Sequence, residues 1–162
     1  MSSKLLSSQT IIYHLILFFF FSLSVNHFVN TEIINYIAYV CFHLTLIYLV
    51  FYFFNFILFF IFFLYGIFFD FFLINYISPH LVSFLIFIFL FYFTKKYLLN
   101  FSSNKISFII IAISLTMFMV ETLIANILFN YPINIEKLLW LFLLSIIFFS
   151  PLSLIFSKID KL

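Results

Sequence analysis

Arginine is absent from this sequence, glycine occurs once, cysteine once and proline three times. Each scarcity removes a class of chemistry. Without arginine there is no planar, bidentate grip for a phosphate or pyrophosphate. A single glycine cannot build a phosphate-cradling loop or a dinucleotide fingerprint, and neither motif is present. Cys41 falls mid-span without a partner, so it carries no argument for a disulfide or a metal. Charged residues make up only 7% of the chain, seven lysines against five acids, which is too little for a nucleic-acid footprint. No Cys/His ligand spacing and no Ser/His/Asp order occurs either.

What is present is hydrocarbon. Hydrophobic residues are 67% of the 162, 31 of them Phe, and the mean hydropathy is +1.34. A soluble domain of this size could not cover such a chain with polar surface. The apolar stretches suit membrane helices of about 20 residues. They do not alternate apolar with polar as the strands of a membrane β-barrel do. The wealth of Phe, Ile, Asn and Lys with three Ala and no Arg follows what A/T-rich codons encode, so motifs made of Gly, Pro, Ala and Arg are expected to be eroded.

The expectation is an all-α, polytopic integral membrane protein, one domain over 1–162, with about six transmembrane helices at 11–29, 33–54, 56–74, 77–93, 106–129 and 138–157. MSSKLLSSQT has one Lys and no small-residue cleavage site after it, so the first helix reads as retained. Asn55 is the only polar break between the second and third helices, and a merger there would leave five spans. Charge decides for six. Lys4, Lys95, Lys96, Lys105, Lys158 and Lys161 then fall on the side of the N-terminus, with only Lys137 opposite, and both termini are cytoplasmic.

The chain is organised around 62–80, FFLYGIFFDFFLINYISPH, which holds Gly66 and, inside an otherwise apolar run, Asp70. An ionisable group in hydrocarbon costs a few kcal/mol and is a functional-site hypothesis by default. In the six-span topology Asp70, His80, Glu121 and His27 share one leaflet, as a polar cluster or pocket requires. Two readings of Asp70 stand side by side: a functional carboxylate, or a cap on the helix-three to helix-four turn that accepts backbone amides at 77–80. Glu121 reads as a bundle-facing acid bonded to a neighbour or as a transport carboxylate. His14 and His43 read as packing or interhelical hydrogen-bond residues. Gly66, one helical turn before Asp70, is placed to let a neighbouring helix approach closely.

At these residues the sequence resembles the bacterial rod shape-determining membrane protein family MreD. Members are of this length and carry Gly–Leu–x–x–Asp at a helix end, then a small-residue turn, Pro–Leu–Gly and often His or Asn. Gly66, Asp70 and His80 match in type and spacing; Ser78 stands where the family has Gly, and Tyr76 where it often has Pro. Pro151-Leu152-Ser153-Leu154 with Lys158 is similar to the proline and basic tail of the family's last helix, and Glu121 is comparable to an acid in its preceding helix. The resemblance covers the chain in length and topology, with residue identity concentrated at 62–80 and 150–158.

The resemblance implies a non-enzymatic scaffold of the elongation machinery in the bacterial cytoplasmic (inner) membrane, without cofactor or metal. Its partners would be a bitopic MreC-like protein and, through it, MreB filaments, the glycosyltransferase RodA and a penicillin-binding transpeptidase, with membrane lipids around it and no nucleic acid. Gly66, Asp70, Ser78, Pro79, His80, Glu121 and Pro151 are then candidates for the partner interface or its internal support. A competing reading is the binding subunit of a small-molecule importer, with Asp70, His80 and Glu121 around an outward pocket for a vitamin-sized ligand. An intramembrane enzyme acting on a lipid-linked substrate is disfavoured by the missing arginines.

Overall fold

The computed structural model describes residues 8–25, 32–75, 78–98 and 103–161. These residues form helices α1 (Ser8–Ser24), α2 (Glu32–Phe53), α3 (Ile57–Phe69), α4 (Pro79–Leu98), α5 (Ser103–Phe129) and α6 (Ile135–Ile159), and α3 runs on into one π-helical turn, Asp70–Ile74. The described residues contain no strand. Four helical stretches are long and apolar enough to cross a membrane: Glu32–Phe53, Ile57–Ile74, Lys105–Phe129 and Ile135–Ile159. Thr10–Ser24 and Pro79–Thr94 are shorter apolar helices.

α2 is the buried centre. Every residue from Val40 to Phe51 is buried, as a helix apolar on all sides demands. α1, α5 and α6 pack against it, and α3 pairs with α4. The outward faces stay apolar: Phe18, Phe60, Phe71, Phe89, Phe108 and Ile147 are all more than half exposed. Such faces are at ease in lipid rather than in water.

The observed ends differ from the hydropathy ends in an instructive way. α4 continues to Leu98 and α5 begins at Ser103, so helix invades both flanks of the polar link expected at 94–105. Hydropathy reports where the apolar run stops, whereas the backbone ladder continues through polar residues. Thr94 accommodates this by donating its hydroxyl to the Leu90 carbonyl, 2.9 Å away. α6 starts at Ile135 because the Asn134 side chain caps it, accepting the Lys137 amide at 3.0 Å. α1 is described only to Ser24, and the rest of the expected 11–29 helix lies mostly outside the described residues. α2 and α3 are two helices, with the break at Phe54, Asn55 and Phe56.

The third helix was expected to run unbroken to 74, and instead its last turn widens at Asp70. Asn75 then takes a left-handed conformation, φ 61°, which asparagine tolerates better than most residues. The widened turn and the left-handed residue bring the chain round towards Pro79, the first residue of α4, where a missing N–H costs nothing.

Candidate functional site

Gly66 sets how close α3 and α4 lie. A Cβ built on it would stand 2.7 Å from the Leu81 Cα, a contact with backbone that no side-chain rotation relieves. Only glycine permits this approach.

Asp70, one turn on, reaches the open N-terminus of α4. Its Oδ2 accepts the amides of Ser78 at 2.9 Å and Leu81 at 3.0 Å. Its Oδ1 accepts the amide of His80 at 2.8 Å and lies 2.8 Å from His80 Nδ1. The helix N-terminus has orphan amides and a positive dipole end, so a carboxylate is the group that satisfies both. Asp70 is fully buried, and a buried charge persists only where it is paired and hydrogen-bonded.

The chain of contacts continues across the bundle. His80 Nε2 is 3.0 Å from Tyr39 Oη, and Tyr39 donates to Glu121 Oε2 at 2.5 Å. Glu121 Oε1 is 3.1 Å from His43 Nε2, whose Nδ1 lies 2.9 Å from the Tyr39 carbonyl. Asp70, His80, Tyr39, Glu121 and His43 therefore form one buried polar row joining the turn after α3 with α4, α2 and α5. Aromatic rings close around it. Phe69 stacks on His80 at 5.5 Å, Phe118 stacks on Tyr39 at 5.6 Å, and Phe118 meets His43 edge-on at 4.8 Å. These rings keep the row in a low dielectric, where its hydrogen bonds are strong and an unpaired member is costly.

Asp70, His80 and Glu121, three acids and bases picked out in the sequence, are thus brought into one row. Ser78 contributes its amide, and Pro79 is buried at the start of α4. Pro151 sits inside α6 with its ring exposed and is not part of the row. His27 lies outside the described residues. His14 is half-buried on α1. Among the described residues no three His, Cys, Asp or Glu side chains converge as a metal ion would need.

The sequence alone places neither Tyr39 nor His43 in a site, though His43 reads as a packing or interhelical hydrogen-bond residue and meets Glu121 of α5 in that way. The signal was available: Asn35, Tyr39 and His43 recur every four residues and form one polar stripe along α2. The apolar residues between them hide the stripe from a hydropathy reading averaged along the helix.

A second tie holds the opposite end. Tyr13 of α1 donates to Asp160 Oδ1 at 2.7 Å, and Tyr48 of α2 donates to Asp160 Oδ2. Asp160 follows α6 directly, so one carboxylate joins three helices. The Phe156 ring packs against both tyrosines.

A cavity of about 400 Å³ opens beside the first row. Tyr39, His80 and Glu121 of the row line it, with Asn35, Phe118 and Lys137 of α6. Its volume falls within the range of roughly 300–1,000 Å³ of small-molecule sites.

The sequence matches no family model, no curated protein and no solved structure.

Proposed function

We propose that this chain is a non-enzymatic scaffold of the bacterial cytoplasmic membrane, an MreD-like component of the cell-wall elongation machinery that maintains rod shape. One observation carries the reading. Three of the residues on which the resemblance rests act as a unit: Gly66 admits Leu81, Asp70 holds the amides that open α4, and His80 joins both to α2. A motif that locks a hairpin is what a scaffold needs, since its product is a shape.

Two further observations support it. The outward faces are apolar, so packing against another membrane helix is the interaction the chain offers most of, and such packing needs few polar contacts. All the lysines but Lys137 gather on one side if there are six spans, which puts both termini in the cytoplasm. On this reading a single-span MreC-like protein packs directly on the bundle. MreB filaments, a RodA-type glycosyltransferase and a penicillin-binding transpeptidase are reached through it.

The cavity favours a second reading, the substrate-binding subunit of a small-molecule importer. Affinity isolation of the tagged chain from solubilised membranes separates the two. The scaffold reading expects a single-span MreC-like protein to come with it, and Asp70→Asn to release that protein at unchanged chain level. Recovery of ATPase subunits in its place overturns the scaffold and supports the importer.

A further inference from the structure

The hydroxyl groups of Ser24, Thr122 and Tyr39, which line the cavity, have a feature in common: their hydrogens are committed elsewhere. Ser24 donates to the Phe20 carbonyl at 2.7 Å. Thr122 donates within its own helix, with Phe118 O at 3.0 Å and Met119 O at 2.9 Å. Tyr39 donates to Glu121, and both ring nitrogens of His80 are engaged, with Asp70 and with Tyr39. What the three hydroxyls have left to offer the cavity is lone pairs, and His80 has neither a free donor nor a free acceptor. Asn35 adds one more, because its Oδ1 is buried and has no partner. Glu121 has acceptor capacity to spare, since a carboxylate has about four lone-pair sites and two are occupied by Tyr39 and His43.

Charge and aromatic surface point the same way. The Glu121 carboxylate lines the space and favours a cation, and Lys137 is at the Tyr36 ring of the same lining. The rings of Tyr36, Tyr39, Phe118 and Tyr131 line the space. Aromatic faces attract cations, and Tyr36 already does so: the Lys137 ammonium sits 5.7 Å above the centre of its ring. An anion here could reach Lys137 but would otherwise meet the Glu121 carboxylate, lone pairs and ring faces. A quaternary ammonium would find the rings but could not satisfy the acceptors. A primary ammonium satisfies both.

From this the geometry points to a binding site for a primary ammonium group, seated between Asn35 Oδ1 and Glu121 under the Tyr36 and Phe118 rings. The group arrives either on the headgroup of an aminophospholipid or on a small soluble amine. The inference stands apart from the scaffold reading, because it uses only the acceptors, charges and rings of the cavity.

The test uses the full chain purified in detergent. In one arm it is exchanged into mixed micelles holding equal phosphatidylethanolamine, phosphatidylcholine and phosphatidylglycerol of matched acyl chains, and retained lipid is counted by native mass spectrometry. In the other, ethanolamine and choline are titrated calorimetrically. Phosphatidylethanolamine is expected to be retained about tenfold over phosphatidylcholine if the lipid is the source, a ratio in keeping with hydrogen bonds to charged groups. A soluble source gives the same preference for ethanolamine over choline without lipid selection. Asn35→Leu, which leaves the buried row untouched, is expected to remove the preference even if Glu121→Gln fails to fold. Equal retention of all three lipids with no ethanolamine binding overturns the proposal and leaves a water-filled space. Preferential retention of phosphatidylglycerol overturns it too, by making Lys137 the anchor of an anion site.

Discussion

Leu81 crosses α3 at Gly66, its Cα 2.7 Å from where a side chain would begin. This contact and the Asp70 cap lie one helical turn apart and close the same hairpin. Gly66→Ala forces the two backbones apart, and overpacking of this kind costs about 1–3 kcal/mol. The expected result is a lower unfolding midpoint in detergent. A larger residue, Gly66→Leu, is expected to abolish the α3–α4 pairing and with it the accumulation of the protein in membranes.

Asp70→Asn keeps the size of the side chain but replaces one accepting oxygen by a donor. Of the amides of Ser78, His80 and Leu81 that Asp70 accepts, at least one is left facing an N–H. Each donor left unpaired costs about 1–3 kcal/mol. Amide hydrogen exchange at Ser78, His80 and Leu81 is expected to rise sharply in this variant, while exchange in α6 stays at the wild-type level.

Tyr13→Phe and Tyr48→Phe each remove one donor from Asp160, at about 1 kcal/mol apiece. Their shared readout is at the C-terminus. Trypsin cleavage at Lys158 and Lys161 is expected to quicken in either variant and most in the pair, because Asp160 holds this end against α1 and α2.

How much of this was legible in the sequence depends on the residue. The long apolar helices follow from composition, because hydrocarbon runs of this length are what membrane-crossing helices need. The Asp70 cap was readable as one of two roles, since an acid followed at short range by Ser78-Pro79-His80 faces a helix start. Gly66 was readable because a lone glycine in a Phe-rich helix asks for a reason. The π-helical turn was not, as nothing in FFDFFLIN marks a widened turn and only the packing of the hairpin demands it. Nor was the link from His80 through Tyr39 to Glu121 and His43, which joins residues on three helices that no local pattern relates. The tie from Tyr13 and Tyr48 to Asp160 is of the same kind, spanning nearly the whole chain.

The proposal of six spans with cytoplasmic termini has an outcome that labelling can read. Cys41 is buried, 3% exposed, so the native chain is expected to react little with maleimides. Asn134→Cys is expected to react with a membrane-impermeant maleimide in intact cells. Lys161→Cys is expected to react only after the membrane is opened. Labelling of both positions from the same side contradicts six spans with cytoplasmic termini.

The account stands most directly on the row from Asp70 to His43 being one coupled structure rather than a set of separate polar groups. A double-mutant cycle of Tyr39→Phe and Glu121→Gln, read by reversible unfolding in mixed detergent, measures that coupling at the 2.5 Å contact in its middle. The predicted result is a non-additive term of about 1 kcal/mol, in the range of interhelical hydrogen bonds in membranes. Two losses that sum within roughly 0.3–0.5 kcal/mol would contradict it, and the acids and histidines would then be separate polar residues that happen to lie close together.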